Sequence, residues 1–173
     1  KTQLLALVLA GRFRRPWPIV IGILLATLAN HGLAGLAGAW SAQLLDGPWL
    51  RWIVAASFLG VGIWALIPDR FDDDGKDGDA PRYGAFLTTL VAFFLVEIGD
   101  KTQIATVALG ARFQADVVSV VIGTTIGMML ANTPAVWLGE KMAHRLPLKP
   151  IRIAAAGVFV VLGLLALTGI GTR

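Results

Sequence analysis

Two carboxylates lie within a stretch of the chain that is otherwise almost entirely apolar. The segment Glu97-Ile98-Gly99-Asp100-Lys101-Thr102-Gln103 is flanked by the uncharged, mostly apolar residues 85–96 and 104–109. Charged groups at bilayer depth are costly and rare, and those that occur usually face a partner or a water-filled path. The fold must therefore shield charge between apolar helices, and this segment is the first candidate for a functional site.

The composition is that of an all-α, polytopic membrane protein. Of the 173 residues 56% are hydrophobic and 15% are charged, whereas a soluble domain carries roughly 25% charged residues. The absence of cysteine excludes disulfides and thiolate metal sites, and two histidines are too few for a metal site built from histidine alone. The net charge of +4 fits basic loops at a membrane better than a nucleic-acid partner.

Six apolar stretches are predicted to span the membrane, since a spanning helix needs about 20 mostly apolar residues. They are residues 1–10, 17–40, 49–67, 84–109, 117–139 and 151–170. The first stretch is short and resembles the second half of a helix, so we expect further sequence upstream of Lys1.

Several short motifs occur twice, about 100 positions apart. Lys1-Thr2-Gln3 matches Lys101-Thr102-Gln103. The other matches are Arg12-Phe13 with Arg112-Phe113, Val20-Ile21-Gly22 with Val121-Ile122-Gly123, and Ala29-Asn30 with Ala131-Asn132. An odd number of spans per copy reverses the second copy in the membrane, so the pattern predicts two inverted three-helix repeats. Their predicted bounds are 1–67, with a truncated first span, and 84–173, joined by an acidic linker at 68–83.

The basic residues predict the orientation. Ten of them fall in loops on one side: Arg12, Arg14, Arg15, Arg70, Lys76, Arg82, Lys141, Arg145, Lys149 and Arg152. The opposite side carries only Arg51, Arg112 and Arg173. The positive-inside rule makes the first side, with the central linker, cytoplasmic. The short loops suggest a bacterial inner membrane.

The acidic segment has the chemistry of a site for a hard divalent cation. Glu97, Asp100 and Gln103 follow one another at three-residue spacing, which would place them on one face of a continuous helix. Carboxylate and amide oxygens suit Ca²⁺, Mn²⁺ or Mg²⁺, and neighbouring carboxylates can also take up protons when a metal leaves. Gly99 could permit close helix approach or loosen the helix, and Lys101 could pair with Glu97.

Other polar residues in the predicted spans have two interpretations. Asn30 and Asn132 could bond neighbouring helices or contact the ion. We expect His31 to be a hydrogen-bonded polar group rather than a ligand, and Thr27 to be a packing hydroxyl.

The Glu-x-Gly-Asp-Lys-Thr motif, with its echo at the start of the chain, is similar to the signature of the Gdt-type cation/proton exchangers, which belong to the Ca²⁺:cation antiporters. The resemblance covers nearly the whole chain. It implies export of Mn²⁺ or Ca²⁺ in exchange for protons, with Glu97 and Asp100 as metal and proton ligands and with Lys101 and Thr102 completing the signature. Lys1 and Thr2 match the tail of a first signature, whose acidic residues would precede Lys1. The resemblance implies no enzyme activity and no tightly bound cofactor.

Two alternatives remain open at this point. An amino-acid or small-metabolite exporter of the lysine-exporter type would share the spans and the repeat, and Lys101 could then bind a carboxylate. A non-transporting membrane subunit is the alternative from another class. An intramembrane aspartyl protease is disfavoured, because Asp100 is the only aspartate inside a predicted span. The expected partners are the lipid bilayer and divalent metal ions, and glycines such as Gly32, Gly35 and Gly38 could serve contacts within one chain or in a homo-oligomer.

Overall fold

A computed structural model describes residues 2–44, 48–67, 84–138 and 148–168. All regular structure in these ranges is helical. Lys1, the acidic linker at 68–83 and most of the basic loop after residue 139 lie outside the described residues, so the predictions made for them stay predictions.

Seven α-helices follow one another in the described ranges, with one short 3₁₀ turn at Gln114–Asp116. They are α1 (Thr2–Phe13), α2 (Pro16–Leu44), α3 (Pro48–Leu66), α4 (Ala85–Glu97), α5 (Lys101–Arg112), α6 (Val117–Leu138) and α7 (Leu148–Leu167). The predicted second, third, fifth and sixth spans correspond to α2, α3, α6 and α7. The fourth does not form one helix, as described below.

Three of these segments are long and apolar enough to cross a membrane: Pro16–Leu44, Trp49–Leu66 and Gln114–Trp137. Shorter apolar helices cover Thr2–Phe13, Ala85–Glu97 and Ala156–Leu167. Many large apolar side chains remain exposed, for example Leu36 at 62% and Leu130 at 72%. Such surfaces are unfavourable in water and suit contact with lipid.

Helix α2 is the centre of the assembly and packs against α4, α5 and α6. Helix α1 packs on α6, and α3 packs on α7 and α5. One buried cluster joins α1, α2, α4 and α6 around Ile19, Ile23 and Phe93. A second joins α2, α3, α5 and α7 around Ala42 and Phe58, where Phe58 stacks on Phe159 with ring centroids 6.4 Å apart. The section of α2 between these clusters carries its buried polar residues.

Glycines allow α2 to lie directly against the fourth span. A Cβ on Gly22 would come within 2.9 Å of the Phe86 carbonyl oxygen. Further along α2, Gly35 meets the backbone at Gly110, and Gly38 meets the backbone of Val107 and Ala111. These contacts show that α2 runs alongside α4 and then α5 in the same direction. Of the three glycines proposed for packing, Gly35 and Gly38 therefore serve contacts within the chain, whereas a Cβ on Gly32 would meet nothing within 4 Å.

We predict that Gly38→Ala destabilises the protein, because the added methyl would meet backbone atoms that cannot rotate away. Overpacking of this kind costs about 1–3 kcal/mol. Gly32→Ala on the same helix is the matched control, and it should be neutral or stabilising by up to about 1 kcal/mol through helix propensity. Thermal unfolding of both variants in detergent measures the difference, and equal melting temperatures would contradict the close packing of α2 on α5.

Candidate functional site

The acidic motif breaks the predicted fourth span into two helices. Helix α4 ends at Glu97, Ile98 is extended, Gly99 has φ of +77°, and Asp100 is the N-cap of α5. The prediction of one continuous helix over 84–109 is therefore wrong, and Glu97 and Asp100 lie on opposite sides of a break rather than on one helical face. The left-handed conformation explains the difference, because glycine adopts it without the steric cost that other residues incur.

Of the two roles considered for Gly99, the structure supports loosening of the helix. A Cβ on Gly99 would meet no atom within 4 Å, so close helix approach does not explain this glycine. The break places the C-terminal end of α4 beside the Glu97 carboxylate. The carboxylate is negatively charged and the helix end has a partial negative charge, so a cation is favoured between them.

Glu97 is buried, and α2 supplies its hydrogen bonds. Its side chain is 1% exposed. The Thr27 hydroxyl donates to Oε1 over 2.8 Å, and Asn30 Nδ2 donates to Oε2 over 3.3 Å. Asn30 Nδ2 also donates to the Phe94 carbonyl oxygen over 3.0 Å, one turn before Glu97. Donors on both oxygens stabilise a carboxylate that would otherwise be costly to bury.

Asp100 and Gln103 lie on the α5 side of the break and are half-buried. Asp100 Oδ2 accepts a hydrogen bond from the Thr102 hydroxyl over 2.9 Å. Gln103 Oε1 accepts one from the Gly99 backbone N–H over 2.6 Å. The predicted ligand Gln103 thus also satisfies a backbone donor that the break leaves without a helical partner.

Lys101 contacts α3 at the start of α5. Its Nζ donates to the Ile67 carbonyl oxygen over 2.9 Å and lies 5.4 Å from the centroid of the Trp64 ring. These contacts connect the end of α3 to the motif. The pairing of Lys101 with Glu97 that the spacing suggested stays a prediction.

The start of α1, which repeats part of the motif, contacts α6. Gln3 Nε2 donates to the Ala131 carbonyl oxygen over 3.2 Å, immediately before Asn132, and Thr2 is half-buried at the start of α1. Asn132 is fully buried, and neither polar atom of its side chain has a hydrogen-bond partner among the described residues. Asn30 and Asn132 occupy matching sequence positions, but among the described residues Asn30 bonds a carboxylate and Asn132 does not.

Sequence reasoning missed two residues of α2. Thr27, taken for a packing hydroxyl, contacts Glu97 directly. His31, expected to be hydrogen-bonded, is 1% exposed, and neither ring nitrogen has a hydrogen-bond partner within the described ranges. That expectation was wrong. The available signal was the spacing of Thr27, Asn30 and His31, which forms a polar face on an otherwise apolar helix.

The carboxylates alone do not make a complete metal site. Across the described ranges, no group of three or more His, Cys, Asp or Glu side chains is placed to hold a metal ion. A bound cation would draw further oxygen donors from amides, hydroxyls and the backbone of the break.

A buried carboxylate at a broken apolar helix is typical of ion-coupled membrane transporters. The comparison with known proteins identifies the class. The chain belongs to the family described as "Divalent cation/proton antiporter GDT1", whose model matches residues 1–73 and 85–171.

Relatives from bacteria and plants match nearly the whole chain. A Vibrio cholerae protein named "Putative manganese exporter" is 49% identical over 165 residues, covering 95% of this chain and 80% of the relative. "GDT1-like protein 5" of Arabidopsis thaliana is 25% identical over 203 residues, covering 96% of this chain and 88% of the relative. No solved structure matches the chain significantly.

We predict that Thr27→Val destabilises the protein through Glu97. The substitution keeps the volume of the side chain but removes a hydrogen bond to a buried carboxylate, a loss of about 1–3 kcal/mol. Thr27→Ser keeps the hydroxyl and should restore most of the free energy of unfolding. A double-mutant cycle with Glu97→Met, which removes the acceptor oxygens, measures the coupling, and an equal cost of Thr27→Val in both backgrounds would show that the hydroxyl does not act on Glu97.

Proposed function

We propose that the protein exports a divalent cation, Mn²⁺ or Ca²⁺, from the cytoplasm in exchange for protons. The observation that carries this proposal is the buried Glu97 at the break between α4 and α5, facing the polar residues of α2. Membership in a family of divalent cation/proton antiporters agrees with it. The name of the Vibrio cholerae relative favours Mn²⁺ as the cargo.

In this proposal Glu97 and Asp100 bind the cation, and they hold protons when the cation has left. Gln103 and oxygen atoms of the break complete the coordination. Gly99 gives the segment the freedom to change conformation, while Thr27 and Asn30 hold Glu97 in place. Neutralising the carboxylates by cation or proton lowers the cost of moving them within the membrane.

The proposed movement is alternating access between two inverted three-helix repeats. The helix contacts support this arrangement, because α5 packs on α2 as α1 packs on α6, and the third helices of the two repeats, α3 and α7, pack on each other. Reciprocal packing of this kind is expected of repeats related by a two-fold axis.

The decisive experiment measures proton exchange in everted vesicles that contain the full-length protein. With an acidic interior, addition of Mn²⁺ or Ca²⁺ should collapse the pH gradient. Glu97→Gln and Asp100→Asn should each slow this exchange by at least about 10-fold, since they remove charged ligands. Asp116→Asn, at an exposed carboxylate in the 3₁₀ turn, is the matched control and should exchange at the normal rate.

The other arms of this assay separate the alternatives. A response to lysine, with none to Mn²⁺ or Ca²⁺, would replace the cation exchanger with a metabolite exporter. Exchange that persists in the Glu97→Gln, Asp100→Asn double variant would refute the proposed site. If verified, folded protein responds to none of these solutes, the alternative of a non-transporting membrane subunit is supported.

The proposed topology makes a separate prediction, which the absence of cysteine makes easy to test. Arg15 lies between α1 and α2, Ala115 lies between α5 and α6, and both are exposed. Inverted repeats place these positions on opposite membrane faces, and the positive-inside rule makes Arg15 cytoplasmic. An impermeant maleimide added to intact cells should therefore label Ala115→Cys but not Arg15→Cys, with the reverse result in everted vesicles. Labelling of both from one side would contradict the inverted arrangement.

A further inference from the structure

His31 is a buried polar residue that the proposed mechanism does not use. It lies one turn beyond Thr27 and directly after Asn30, the two residues that bind Glu97. Its side chain is 1% exposed, and both ring nitrogens are without a hydrogen-bond partner among the residues described. Burying a polar group without a partner is unfavourable, so its presence calls for an explanation.

The packing of α2 places His31 at the level of the helix break. Asn30 contacts Phe94 and Glu97, at the end of α4. Gly35, just over one turn further along α2, already meets Gly110 in α5. His31 lies between these two levels along α2, and its four-residue spacing from Thr27 places it on the helix face that meets Glu97.

We propose that a ring nitrogen of His31 is a ligand of the transported cation, together with the carboxylates of Glu97 and Asp100. This inference rests on the proposed function and concerns the choice of cargo. Ca²⁺ takes oxygen ligands almost exclusively, whereas imidazole is a common ligand of transition-metal ions. A nitrogen donor among hard oxygens therefore makes the site prefer Mn²⁺ to Ca²⁺.

The three side chains do not yet converge on one point in the described conformation. Cation binding must therefore draw them together. The break supplies the freedom for this, because a Cβ on Gly99 would meet no atom within 4 Å and, among the described residues, the hydrogen bonds of Asp100 stay within its own segment.

The nitrogen ligand can be detected directly in Mn²⁺-loaded protein by electron spin echo envelope modulation. We expect a ¹⁴N coupling in the native protein that changes to a ¹⁵N coupling when histidine is labelled with ¹⁵N. His31→Gln should abolish it. The only other histidine is His144, so His144→Gln is the matched control and should leave the signal unchanged.

The outcomes separate this inference from the proposed function. Bound Mn²⁺ without a nitrogen coupling, or a coupling that disappears in His144→Gln and persists in His31→Gln, would overturn the role of His31 and leave the exchanger intact. Failure of the native protein to bind Mn²⁺ or to exchange it for protons would overturn both.

Exchange assays give a second readout that a purely structural role would not move. His31→Gln should lower the ratio of Mn²⁺ to Ca²⁺ exchange by about 10-fold, the usual effect of losing a ligand interaction. An equal reduction for both cations would indicate damaged packing instead of lost coordination, and it would contradict the proposal.

Discussion

The buried carboxylate of Glu97 is the constraint around which the polar interior is arranged. A charge removed from water needs compensation by donors, by a cation or by a proton. Helix α2 provides two donors, Thr27 and Asn30. These donors reach Glu97 only because α2 lies against the fourth span, and that contact depends on glycine at positions such as Gly22 and Gly38. The small residues of α2 and its polar face thus serve the same interface.

The break at Ile98–Asp100 follows from the same requirement. A continuous helix would keep its backbone groups within its own hydrogen bonds and would leave side chains alone to meet a cation. Ending α4 at Glu97 exposes a helix terminus at the level of the carboxylate, and Gly99 makes the necessary backbone conformation possible. Gln103 and Thr102 then stabilise the irregular segment through the Gly99 N–H and Asp100. The motif is therefore a structural unit as well as a set of proposed ligands.

The sequence predicted the helical fold and singled out the acidic motif as the candidate site, because both depend on strong local signals. Long apolar stretches can only be helices in a membrane, and charges within them stand out. The break was only one of two alternatives for Gly99, since a helix that contains one glycine and a helix that breaks at that glycine have nearly the same local sequence pattern. The roles of Thr27 and His31 depend on which face of α2 meets the fourth span. That information comes from tertiary packing, and a single sequence carries it only as a short polar spacing within an apolar helix.

In the proposed exchange cycle, the hydrogen bonds to Glu97 determine how readily the carboxylate changes partners. The Thr27 hydroxyl can rotate, so it can donate to the carboxylate or turn its oxygen towards a cation. The Asn30 amide carries an oxygen as well as the donor it now uses, and its Nδ2 is shared between Glu97 and Phe94. Neither partner carries a charge, so neither forms an ion pair that a cation would have to displace. A charged partner such as a lysine at the position of Thr27 would stabilise the empty site more strongly and would compete with both cation and proton. Neutral donors therefore suit a carboxylate that must be stabilised while empty and remain available to bind.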